Sequence, residues 1–130
     1  MKIAVIIARV LLGVIYVFFS AIVLFNLNLF DAPPPSGAFK AYMEGITASG
    51  YLMKFIKITE FVCGLVLISG RFAPLATVII FPVSINILFT HAFTVPGALP
   101  IGITIMALNL FLAYAYRKNY ATLVMAKPIQ

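Results

Sequence analysis

Charge is what this sequence has least of. Only 9% of its 130 residues are charged, and three of those are acidic. A soluble domain carries about a quarter charged residues, because it must cover its surface for water. So low a share excludes an ordinary soluble domain and points to a different solvent. Cysteine occurs once, at Cys63, inside an apolar run. A lone thiol without a CxxC cannot run an internal dithiol–disulfide cycle. Cys63 is expected to be a small buried hydrophobe. Histidine also occurs once, at His91. One His, one Glu and one Cys at unrelated depths make no metal-ligand set, so no metal is expected. The sequence also lacks a haem-ligand pair, an Fe–S cysteine set and a dinucleotide motif. Any electron transfer would therefore use a diffusible or partner-borne cofactor.

What the sequence has is apolar length. Hydrophobic residues make up 64% of it. Four spans are predicted, at about 3–24, 51–69, 74–92 and 100–116. Each is close to the roughly 20 residues that cross a bilayer as a helix. A cleavable signal peptide is the rival reading of the first run. That run is longer than a signal core and leads into Phe25–Asp31 with no small-residue cleavage pattern, so it is read as a mature helix. In lipid only helices or closed barrels satisfy the backbone, and the alternation of barrel strands is missing. The expected fold is a single all-α membrane domain over residues 1–130, a four-helix bundle with no room for a soluble catalytic domain.

The connections are unequal. Spans two and three are joined by Gly70–Ala73, which predicts a tight antiparallel hairpin. The loop 25–50 is long and contains Asp31 and then Pro33, Pro34 and Pro35, a stiff extended segment. After it, Phe39, Tyr42, Met43 and Ile46 recur at helical spacing, with Lys40 and Glu44 as an i,i+4 pair. The expectation is a short amphipathic helix at the membrane surface. An ordinary loop is the alternative.

Net charge is +6, but the basic residues lie at helix ends and are not interleaved with aromatics on a polar face. Nucleic acid is not expected as a partner; the lipid bilayer is. Four spans put both termini and the second link on one side, with Lys2, Arg71, Arg117, Lys118 and Lys127. The other side carries Asp31, Lys40 and Glu44. The positive-inside rule then places both termini in the cytoplasm.

Polar residues inside spans are costly and mark candidate function. Lys57 and Glu60, three apart, share a helix face near the midplane. A carboxylate there must be paired, protonated or facing a wet cavity. A Lys57–Glu60 pair that only orients the bundle is the bland alternative. Arg9 is read as snorkelling to phosphates or as a partner for an internal carboxylate. Pro82 should bend span three. Asn86 and Asn109 are either helix–helix hydrogen-bonding groups or part of a site. His91, near the outer end, is either a tolerated polar residue or a group that exchanges protons near neutral pH. One outward-opening polar cavity holding Glu60, Lys57, His91, Asn109 and Asn86 would account for all five.

Several segments together carry a family resemblance. They are ARVLLGVIYVFFS, SGYLMKFIKITEFVCGLVLISGRFAPLA, FPVSINILFTHAF and ALNLFLAYAYRKNY. Their order and spacing resemble the DoxX family of small bacterial membrane proteins: a lysine then a glutamate in span two, Gly64, the Gly70-Arg71 turn, and a Pro-x-x-x-Asn run ending near a histidine. The resemblance implies a four-helix bundle in the bacterial inner membrane. It also implies a loose association with thiosulfate:quinone oxidoreductase chemistry and redox-stress systems. Three functions are carried forward. The first is binding of a small amphipathic molecule, a quinone or lipid, with the chain as an accessory to a redox system. The second is an oxidoreductase subunit completed by a redox partner protein. The third is a transporter or channel built as a homo-oligomer. A ligand-free scaffold is the remaining alternative.

Overall fold

The computed structural model describes residues 2–27 and 34–128. Asp31 and Pro33 lie outside the described residues. Five helices follow in order: α1 Lys2–Leu24, α2 Gly37–Ala48, α3 Leu52–Ser69, α4 Ala73–Thr94 and α5 Leu99–Ala115. Short 3₁₀ turns precede α5, at Pro96–Ala98, and follow it, at Arg117–Tyr120. There is no strand among the described residues.

Three segments are long and apolar enough to cross a membrane: α1, α4, and α5 with its leading turn, Pro96–Ala115. The 18 residues of α3 carry Lys54, Lys57 and Glu60, so composition alone does not mark it as a span. The three charges sit in its first half, and its second half, Phe61–Ile68, has none.

α1 packs on α3, α3 on α4, α4 on α5, and α5 back on α1, so the four long helices close a ring. The tightest approach is between α1 and α3, where two glycines face each other. A Cβ on Gly13 would lie 2.7 Å from the carbonyl oxygen of Gly64, and a Cβ on Gly64 would lie 2.8 Å from that of Gly13. Apolar side chains gain little by leaving lipid, so such helices associate through close backbone contact, which small residues permit. Leu12, Tyr16, Leu67, Ile80 and Leu112 fill the ring, while Ile3, Ile7, Phe55, Leu75 and Phe93 point outward. The outward set makes contact with the bilayer.

The α3–α4 hairpin is set by local geometry. Gly70 has φ 84°, the left-handed conformation that ends a helix, and its N–H donates to Val66 O. A side chain there would also run into the Arg9 guanidinium. Arg9 donates through Nη1 to Leu67 O at 2.9 Å. It thus serves carbonyls that α3 leaves unpaired at its C-terminus, the negative pole of the helix dipole. Arg9 is a cap, with no carboxylate partner among the described residues. Pro74 sits in the first turn of α4, where its missing N–H costs nothing.

The segment 37–48 is a helix rather than an ordinary loop. Its stripe of Phe39, Tyr42, Met43 and Ile46 is turned inward, with Ile46 buried, while Lys40 and Glu44 pair on the exposed face at 3.9 Å. The stripe rests on α3 and α4 and covers one end of the ring. The opposite end gathers Lys2, Arg9, Gly70 and Arg117 around a groove, and Tyr120 donates to Pro74 O at 2.7 Å. The start of α1, the α3–α4 link and the segment after α5 therefore share one end.

The glycine contact is open to test. Gly64→Val should force α1 and α3 apart and cost about 1–3 kcal/mol of stability. Gly45→Ala, on α2 with open space beside it, should be neutral or stabilise slightly. Thermal unfolding in detergent, followed by circular dichroism, compares the two. Equal melting points would refute the close-contact account.

Candidate functional site

The polar residues inside the ring fall into two groups. The first centres on Glu60, roughly 12 Å along α3 from Leu52. Its relative exposure is 2%, and Lys57 Nζ donates to its Oε2 at 3.1 Å. The i,i+3 spacing puts both on one face of α3, beside a cavity that α1, α4 and α5 also wall. Lys57 keeps a fifth of its side chain exposed, so its charged end reaches the edge of the ring. A buried ion pair of this kind gains little net stability, because desolvation opposes the attraction. Leaving either charge alone would be far worse.

Two adjoining cavities meet at this pair. One, of about 230 Å³, is walled by Tyr16 and Phe19 of α1, Lys57 and Glu60 of α3, His91 of α4 and Ile105 of α5. The other, of about 240 Å³, lies under α2 and is walled by Tyr42, Met43, Lys57, Glu60, Asn86 and His91. Lys57, Glu60 and His91 border both, as does Ile87. At the edge of the first cavity Phe19 and Ile101 are both exposed, so it opens sideways between α1 and α5. An apolar groove of about 300 Å³ continues from it along the same two helices, past Pro100 and Thr104.

His91 stands out within this group. Its Nδ1 is buried and has no hydrogen-bond partner among the described residues. Gly102 makes room for the ring: a Cβ there would lie 3.1 Å from Nδ1. Buried polar atoms are nearly always paired in folded proteins, so this unpaired ring nitrogen, packed on Gly102, needs an explanation. Asn86, on the next turn, donates to Tyr42 Oη at 2.7 Å and so ties α4 to α2 at the second cavity.

Asn109 belongs to the second group and does not wall either cavity. Its Oδ1 accepts from Ser84 Oγ at 2.6 Å, and its Nδ2 donates to Thr77 O at 3.3 Å. Ser84 uses its only proton on Asn109, so Tyr16 Oη must donate to Ser84 Oγ. Tyr16, Ser84 and Asn109 thus link α1, α4 and α5 through fully buried groups. Asn109 Nδ2 thus reaches a backbone carbonyl of α4 and ties α5 to it. The N–H that Pro82 lacks would have served Val78 O, a different carbonyl. Both ends of the Asn109 amide are occupied inside the ring, which keeps it out of the cavities. Tyr16 is the residue the sequence reading missed. A mid-span tyrosine was a usable signal, since a buried phenol nearly always finds a partner.

A chain that among its described residues has three helices long and apolar enough to cross a membrane, and a buried ion pair beside a lateral cavity, is a membrane protein with a polar interior. It belongs to the DoxX family: the DoxX family model matches residues 4–97. That match runs from α1 through α4 and stops before α5, so the likeness read in ALNLFLAYAYRKNY lies outside it. Neither the curated proteins nor the solved structures contain a match to the chain.

The ion pair is testable apart from any ligand. Lys57→Met leaves the Glu60 carboxyl buried without its partner and should cost about 3–5 kcal/mol at neutral pH. The double replacement Lys57→Met with Glu60→Gln should recover most of that loss. Unfolding midpoints of the three proteins measure the coupling, and additive losses would mean that the pair is not a stabilising contact.

Proposed function

We propose that this protein is a four-helix membrane bundle that holds the polar head of a small amphipathic molecule beside Lys57, Glu60 and His91, with a quinone as the leading candidate. The observation that carries this reading is the meeting of Lys57, Glu60 and His91, the polar residues that border both cavities. A quinone ring presents two carbonyl oxygens that need donors. Lys57 supplies one, and the His91 imidazole can supply a second. Glu60 can take up or release a proton at the same place. The apolar groove between α1 and α5 suits a hydrocarbon tail, and its opening faces where lipid lies. α2 closes the end of the second cavity, with Asn86 and Tyr42 at its margin. Electrons, where a redox reaction is involved, come from a partner protein.

In this reading α3 crosses the bilayer with the other three helices. Its charges are tolerated because Lys57 and Glu60 satisfy each other inside the ring and Lys54 reaches the interface. The chain sits in the bacterial cytoplasmic membrane. The basic end of the ring lies in the cytoplasm, and α2 lies at the outer surface.

Two experiments test this. A water-soluble benzoquinone analogue titrated into detergent-solubilised protein should bind, and Glu60→Gln or His91→Ala should each weaken binding about tenfold or more. Undiminished binding in both variants would sink the site. Ion or solute flux in proteoliposomes of this chain alone would point to transport instead. For the topology, Cys63→Ser is combined with either Ser36→Cys or Asn119→Cys. An impermeant maleimide should label position 36 in intact cells and position 119 only after permeabilisation. The reverse pattern would overturn the orientation.

A further inference from the structure

We propose a second site at the opposite end of the ring: a groove between the start of α1 and the end of α5 that binds the phosphate headgroup of an anionic phospholipid. Lys2 and Arg9 of α1 and Arg117 after α5 border this groove of about 560 Å³, together with the apolar Val5 and Ile6 and the ring of Tyr114. The charge at this end is unbalanced. Among the described residues the only ion pairs are Lys40–Glu44 and Lys57–Glu60, neither of which borders it.

The cations are positioned rather than scattered. Arg117 donates to Tyr114 O at 2.9 Å and stacks over the Tyr114 ring, 4.2 Å from its centroid. Stacking fixes the guanidinium plane and leaves further N–H donors free. Arg9 uses Nη1 on the end of α3 and keeps its remaining donors. Bidentate phosphate recognition calls for such planar, pre-oriented groups.

A lipid fits better than free phosphate because the groove runs into bilayer-facing surface. Ile6 is 50% exposed and Tyr114 59% exposed, with Ile3 and Ile7 exposed beside them. A diacyl lipid can place its phosphate among the three cations and its chains along α1. Clustered basic residues at the cytoplasmic ends of membrane helices attract anionic headgroups in this way.

Native mass spectrometry of the full chain in mild detergent tests the site, with phosphatidylglycerol, phosphatidylcholine and inorganic phosphate as probes. Phosphatidylglycerol should be retained over phosphatidylcholine. Single replacements Lys2→Gln and Arg117→Gln should each weaken its retention about fivefold. Lys40→Gln, on the exposed face of α2, should change nothing. Both basic replacements lie on exposed residues, so folding is not at risk, and the helical circular dichroism signal checks this. Equal retention of the two lipids, or undiminished retention by the variants, would overturn the proposal. Displacement of phosphatidylglycerol by millimolar inorganic phosphate would also overturn it, as the mark of a simple anion site.

Discussion

The contact on which the interior depends is the ion pair between Lys57 and Glu60. A carboxylate with 2% exposure, deep among apolar helices, cannot remain charged alone. Its partner comes from the same face of the same helix, at i,i+3 spacing. This local solution has a structural consequence. The pair sits on the side of α3 that borders a cavity shared with α1, α4 and α5, so that side is not purely apolar. Space remains around the charged groups, and both cavities border them. Cavity and charge therefore share one origin.

The remaining interior polar groups are handled differently. Tyr16, Ser84 and Asn109 form a closed chain of hydrogen bonds that ends on the Thr77 carbonyl. Nothing in that chain is left for a ligand. It fixes α1 and α5 against α4. Tyr16 belongs to both regions, since its ring walls the first cavity while its hydroxyl is held in the chain. The cavity floor is thus anchored to the best-satisfied part of the core. The second cavity is covered instead by α2, whose Phe39, Tyr42, Met43 and Ile46 line it against α3 and α4.

How much of this could be read from sequence depends on the range of each interaction. Helix positions follow from apolar length, and α1, α3, α4 and α5 begin and end within two residues of the apolar runs. The α2 stripe was legible because Phe39, Tyr42, Met43 and Ile46 share a period. What that stripe packs on was not legible, because periodicity does not say whether lipid or protein lies opposite. The Lys57–Glu60 pair is local and could be read. The grouping of Glu60 with His91 needs α3 beside α4, which no spacing within one helix reveals. Asn109 shows the limit most clearly. From sequence it is a polar group at the depth of Glu60. Its part in tying α5 to α4 depends on Ser84 and Thr77, 25 and 32 residues away.

The two ends of the ring differ for a reason that joins topology to chemistry. At the end that holds Lys2, Arg71 and Arg117, unpaired cations accumulate, because that end needs no carboxylate to be satisfied in the bilayer. Lipid phosphate can supply the counter-charge. At the other end two cations are matched within the protein, Lys40 by Glu44 and, deeper, Lys57 by Glu60, while Lys54 is in neither pair. A carboxylate at the basic end would pair with Arg9 and draw it away from the α3 carbonyls it caps. The scarcity of acidic residues is therefore more than a mark of membrane residence. Of the three in the sequence, Glu60 lies where a carboxylate can serve a cavity, and Glu44 stays on the exposed face of α2.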